Sequence, residues 1–335
     1  MSMVIEGLSC FGAFGSGPKA LNDALDAAMK AALSGQSPVF SPEVDTAPLT
    51  RFIPARALRQ CDRFSRLALL GAYTALEDAG IDPASLADAT RYGIILAGGY
   101  GTASPTLEFI DSLVDFGEAM ASPLAFSHSV HNIPAAIIAK NLGMTGPCST
   151  VCQLEVSVAA GLLLAQTWLG EGRVDRVLFG AVEEVTPALA AITAKLVAEK
   201  GGGASISKDD TLPTRKDRPV TDGAVFFCLS RGGGKSLGRI ESVVMGNDLD
   251  MDAACAVPSG PAACFLSGHV SPAARRACGG LDGSAAYGNI PVAQAFDCVA
   301  ALSLLGREAN AGKRIVCVER GLDMHSAVTL AGGGT

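Results

Sequence analysis

The run Gly146-Pro147-Cys148-Ser149-Thr150-Val151-Cys152-Gln153-Leu154-Glu155 leads straight into Val156-Ser157-Val158-Ala159-Ala160-Gly161-Leu162-Leu163-Leu164-Ala165. A short β-branched stretch, a sharp turn and a segment apolar almost all round predict a strand feeding a buried helix. A side chain at that turn lies among unpaired N–H groups at the positive end of the helix dipole. Enzymes use this geometry to activate a thiolate or to bind an oxyanion. Here the turn carries the carboxylate of Glu155.

Working outward, 335 residues with 49% hydrophobic content suffice for one large core or two fused ones. The net charge is −7 and the basic residues are scattered, which leaves no electrostatic footprint for nucleic acid. The longest apolar run, Val156 to Ala165, is too short to span a bilayer. The opening residues lack a basic stretch followed by an apolar one, so a cytoplasmic location is expected. Ten cysteines form no CxxC pair, and the four histidines do not space with them as zinc ligands would, so no metal is expected. Cys10, Cys61, Cys228, Cys264, Cys298 and Cys317 fall mostly in apolar stretches and read as small buried hydrophobes.

Strand and helix signals alternate along the chain. Strands are predicted over Met3 to Cys10, Tyr92 to Ala97, Ser149 to Leu154, Arg176 to Val182 and Ala224 to Ser230. Further strands follow near 238–245, 263–267, 314–319 and 326–330. Helices are predicted over Lys19 to Leu33, Asp62 to Ala79, Leu107 to Met120, Ala135 to Leu142, Pro272 to Cys278 and Val292 to Leu305. Residues 122–134 read as a loop, and the polar stretch 199–219 as a mobile one. The glycines at 232–234 mark a boundary between residues 1–234 and a second, shorter unit, 235–335. The alternation implies a layered α/β fold.

Several segments, in this order and spacing, resemble the β-ketoacyl synthase family of the thiolase fold. They are Asp62-Arg63-Phe64-Ser65-Arg66-Leu67-Ala68, Ala75-Leu76-Glu77-Asp78-Ala79-Gly80 and Gly93-Ile94-Ile95-Leu96-Ala97-Gly98. Further on come Asn132-Ile133-Pro134-Ala135-Ala136, Gly143 through Pro147, Gly180-Ala181-Val182-Glu183, and Arg218 through Ser230. The likeness spans nearly the whole chain and implies an αβαβα sandwich built from two similar halves in one compact unit, with no cofactor. Family members use a cysteine that accepts an acyl chain and two histidines that assist decarboxylation of a malonyl thioester.

With Gly146-Pro147 upstream and Ala165, Gly172, Asp175 and Gly180 downstream as anchors, the cysteine slot falls on Glu155 without insertion or deletion. Cys152 fills it only if three residues are gained before it and lost after it. The resemblance puts the first histidine at His269 and the second at Asn289, while the family lysine falls on Ser284. The glycine-rich phenylalanine loop is eroded to Arg320-Gly321-Leu322-Asp323-Met324-His325. Departures thus gather at the reactive positions.

A glutamate cannot form a durable thioester, and the helix terminus keeps it ionised. The resemblance therefore implies a chain-length-factor-type subunit. It would pair with a cysteine-bearing ketosynthase, present Cys152, Gln153, His128 and His131 toward the tunnel or interface, and work with an acyl carrier protein in type II fatty-acid or polyketide synthesis. A decarboxylase that uses a neutral amide in the slot is the alternative; an ionised carboxylate there repels the enolate. An unorthodox acyltransferase using Glu155, His269 or Cys152, and a homodimeric acyl-thioester-binding module, are the other readings. Glu183-Glu184 has the acidity of a metal site, but the sequence supplies nothing to complete one.

Overall fold

The computed structural model describes residues 1–34, 41–192, 195, 218–247, 263–268, 280–310, 312–321 and 324–333. The expected His269, the helix over 272–278 and all but the last two residues of the 199–219 loop lie outside them.

In chain order the strands are β1 (Met3–Gly12), β2 (Gly15–Ser16), β3 (Tyr92–Gly98), β4 (Cys148–Cys152), β5 (Arg176–Glu183), β6 (Gly223–Ser230), β7 (Gly238–Asn247), β8 (Ala263–Gly268), β9 (Arg314–Arg320) and β10 (Met324–Gly332). The helices are α1 (Gly17–Ser34), α2 (Arg63–Ala79), α3 (Ala103–Phe116), α4 (Pro123–His128), α5 (Ile133–Leu142), α6 (Ser157–Gly170), α7 (Ser284–Tyr287) and α8 (Ala293–Leu305).

The strands run β4-β3-β5-β6-β1-β7-β10-β9-β8, with β2 hung on β1. Near the turn the sheet is parallel, β4 and β5 flanking β3; at the far end β8 lies parallel to β9. The two parts of the sheet join in its middle through a short antiparallel contact, Met3–Ile5 of β1 against 238–240 of β7. The sheet wraps around α6 and α8, which are buried between its two parts within one apolar cluster that includes Val158, Leu162, Phe179, Phe296 and Val328. A second cluster covers the other face, where α2 packs over β1, β5 and β6, and α5 beside it packs over β3 and β4.

Local chemistry sets the ends of these elements. Asp62 caps α2 by accepting from the Ser65 nitrogen at 2.7 Å, and Gly80 closes the helix at φ 70°. The helix expected over Leu107 to Met120 begins earlier, at Ala103, since Pro105 is tolerated in a first turn. It ends where Gly117 adopts φ 75°, and a short 3-10 turn, Glu118–Met120, follows. The loop expected over 122–134 holds the short helix α4 and the start of α5. Ser122 caps α4 by accepting from the Ala125 nitrogen, with Pro123 in its first turn. Among the described residues no helix is long and apolar enough to cross a membrane.

Candidate functional site

β4 is the terminal strand, paired with β3 alone among the described strands. Beyond Cys152 the chain turns at Gln153 and Leu154, and Leu154 takes φ 51°, the left-handed region. For a branched residue this costs on the order of 1–3 kcal/mol and persists only where the surroundings enforce it. Glu155 occupies a single 3-10 turn, Leu154–Val156, that runs directly into α6. The expected strand, turn and helix are thus present, with the carboxylate at the helix head.

The enforcing group is Ser157, which is fully buried. Its Oγ accepts from the Gln153 nitrogen at 2.7 Å, and its own hydrogen lies within reach of the carbonyls of Gly98, at 2.8 Å, and Leu154, at 2.7 Å. The end of β3, the turn and α6 are therefore locked together. In the sequence Ser157 is only the polar interruption of an apolar run; a buried hydroxyl in a first helical turn was the available signal.

Glu155 is partly buried, and its turn packs on β9 and β10. A Cβ built on Gly321 would stand 3.5 Å from Glu155 Oε2, so the carboxylate faces the eroded loop after β9. Cys152 lies within the edge strand, in register with Gly98. Burial, reinforced by the nearby Glu183, pushes its thiol up to about 11. At neutral pH it is a protonated thiol, the opposite of an activated nucleophile.

Asn289 is tied to the segment before β6: its nitrogen donates to the Pro219 carbonyl at 2.8 Å. Its neighbour Pro291 abuts Gly99, where an added Cβ would come within 2.2 Å of the proline. The Gly98-Gly99 corner therefore gathers Cys152, Ser157 and the loop bearing Asn289. Ser284, expected from the resemblance at the lysine position, accepts from Arg218 Nε at 2.9 Å, so a guanidinium from another segment stands beside it.

The same corner holds Glu183. Its Oε2 accepts from the nitrogens of Gly99 and Tyr100, at 2.6 and 3.1 Å. Its Oε1 is buried with no hydrogen-bond partner among the described residues. Burial outweighs the two N–H donors and pushes its carboxyl up to about 8. Glu184 is also raised by burial and accepts from the Ser104 nitrogen. Among the described residues no group of three or more potential ligands is placed to hold a metal ion.

Of the two histidines, His131 borders this corner: a Cβ built on Gly101 would collide with its ring. His128 ends α4, with Nδ1 2.8 Å from Asp62 Oδ2, the residue that caps α2. His131 is exposed, and its Nδ1 sits 3.4 Å from both the nitrogen and the hydroxyl of Thr102. Around them spreads an apolar surface in which Val114, Phe116 and Met120 are 76, 68 and 71% exposed, with Leu124 and Phe126 beside them.

A family model for the N-terminal domain of β-ketoacyl synthases matches residues 2–225. The chloroplastic 3-oxoacyl-acyl-carrier-protein synthase I of Hordeum vulgare is 25% identical over 197 residues, which are 54% of this chain and 42% of that protein; less than half of the relative's length is spanned. Among solved structures, the ishigamide ketosynthase/chain length factor superposes with a TM-score of 0.74 at 19% identity, covering 100% of each chain. AntDE:AntF, a type II polyketide synthase acyl carrier protein in complex with its ketosynthase, superposes at 0.78 with 15% identity over 99% of each chain. At such identities these structures establish the layered thiolase-like fold. The match over two thirds of the sequence does more: the chain belongs to the β-ketoacyl synthase family.

Proposed function

We propose that this chain is a chain-length-factor-type subunit, chemically silent alone, which pairs with a cysteine-bearing ketosynthase and shapes its acyl tunnel. The observation that carries the reading is Glu155 at the head of the buried helix, where the family needs a thiol. The nearest cysteine, Cys152, is a protonated thiol held in the edge strand. A second histidine is replaced by Asn289. Such a site has neither a carrier for the acyl group nor the pair of donors for an enolate.

Pairing accounts for the surface around the turn. The outer edge of β4 is a ready template for another strand, and the exposed apolar residues of α3 and α4 are of the kind that mark an interaction surface. The β4 edge leads directly into the Glu155 turn, so a partner strand bound there closes over it. In this reading residues 1–234 and 235–335 are the two halves of one unit, and an acyl carrier protein serves the assembled pair.

Co-expression with a ketosynthase that retains its cysteine and two histidines tests the proposal. A heterodimer on size exclusion, with condensing activity only in the pair, is the expected result. Release of carbon dioxide from malonyl carrier protein by this chain alone would overturn it in favour of a decarboxylase. A persistent monomer in the presence of the synthase would overturn it as well.

A further inference from the structure

We propose a second ligand site, remote from Glu155: a cleft of 840 Å³ along the open edge of β1, built for an apolar molecule whose polar end is neutral or cationic. On one side β1 pairs with β6 from Val4 to Phe11. On the other it meets β7 only at Met3–Ile5 and β2 only at Phe11 and Gly12. Between those contacts no described strand pairs with the edge, and the Leu8 nitrogen is taken by Asp78 Oδ2 at 2.8 Å.

The cleft fills this gap. Its walls come from α2 and α8, with Leu8, Leu70, Leu237 and Leu302 facing it. Its volume lies within the range of small-molecule sites, about 300–1,000 Å³. Thr74, one helical turn after Leu70, also lines it. The Thr74 hydroxyl oxygen is closed off from solvent and has no hydrogen-bond partner among the described residues. Threonine in a helix alternates between two χ1 rotamers, and a rotation into the cleft would give this oxygen the partner it lacks.

Charge selects the ligand's polar end. The rim carries the carboxylates of Glu43, Asp45 and Asp78 against one lining cation, Arg51; behind it Lys235 pairs with Asp78 at 3.2 Å, and Arg63, 3.9 Å from Glu43, is already paired with Asp222. The Arg51 guanidinium is engaged by Glu77 at 3.0 Å. A carboxylate or phosphate entering there meets net negative charge, whereas an alcohol or an ammonium does not. None of the lining residues belongs to β4 or α6. Four strand spacings, roughly 19 Å at about 4.8 Å each, separate β1 from β4, so the cleft is distinct from the Glu155 turn.

The test is displacement of the fluorescent probe N-phenyl-1-naphthylamine from the full chain by decanol, decylamine and decanoate. Decanol and decylamine should displace it at concentrations at least about tenfold below decanoate. Leu302→Trp should fill the cleft and abolish probe binding, while Glu155→Gln should leave it unchanged. The exposed rim variant Glu43→Lys/Asp45→Lys should remove the discrimination against decanoate, and it carries the test should Leu302→Trp fail to fold. No probe binding to the wild-type chain, equal displacement by all three compounds, or a ranking unmoved by the rim variant would overturn the proposal. Loss of binding in Glu155→Gln would place the probe at the other site and overturn it too.

Discussion

The Ser157 hydroxyl lies 2.8 Å from the Gly98 carbonyl oxygen, so a buried serine at the head of α6 holds the end of β3 against the turn that presents Glu155. Removing the hydroxyl with Ser157→Ala strands the Gln153 nitrogen and the Gly98 carbonyl. The expected loss is about 1–3 kcal/mol in urea unfolding, together with weaker binding of the partner synthase. An unchanged midpoint would mean that the turn is held by other groups.

Leu154 predicts the opposite sign. Glycine normally destabilises a structured segment, but Leu154→Gly relieves a left-handed backbone at a half-exposed position. The variant should be as stable as the parent or more so by about 1 kcal/mol, read from thermal melts.

Restoring a thiol to the slot separates the two candidate positions. In Glu155→Cys the new thiol sits at a helix N-terminus, where the dipole favours the anion. Iodoacetamide should label it at least about tenfold faster at pH 7.5 than it labels Cys152, as followed by peptide mass. On the proposed reading, in which Asn289 stands where the family has a histidine, condensation should remain absent without a partner. Faster labelling of Cys152 would reopen the alternative alignment.

Glu183 makes stability depend on pH. Its carboxyl sits near 8 in the folded chain against an ordinary value of 4.5, so between these limits the folded state holds a proton that the unfolded state has lost. The contribution is fully present below about 4.5 and is lost as pH rises through about 8. The melting temperature should therefore fall from pH 6 to pH 9, and Glu183→Gln, which cannot ionise, should flatten that fall. Parallel slopes for the two proteins would show that the carboxyl titrates elsewhere.

The apolar face of α3 and α4 is open to a direct test. Phe116 is largely exposed, so Phe116→Glu should leave the unfolding free energy of the isolated chain within about 0.5 kcal/mol of its parent. Its affinity for a cysteine-bearing synthase should drop at least about tenfold by calorimetry. Undiminished pairing would move the interface off this surface.

Much of the architecture was legible because long periodic segments announce themselves. The apolar run after Glu155 became α6, and the amphipathic stretch after Asp62 became α2. Short elements did not. Pro123–His128 carries a serine cap and a leading proline, yet six residues are too few for a period to show, and the stretch read as loop. Glu183 was read as an acidic pair with Glu184; nothing in the string of letters told that its carboxylate turns onto the nitrogens of Gly99 and Tyr100.

By itself the sequence determined the succession of strands and helices, and the spacing from Gly146-Pro147 that brings a carboxylate to the start of the buried helix, since both are properties of neighbouring residues. Tertiary structure alone decided which distant groups meet there. Ser157 reaches back 59 residues to Gly98, and Glu183 reaches 84 residues to Gly99. The ionisation of Glu183 and Cys152 was likewise settled only in three dimensions, because the loss of water that raises both is set by the whole surrounding shell.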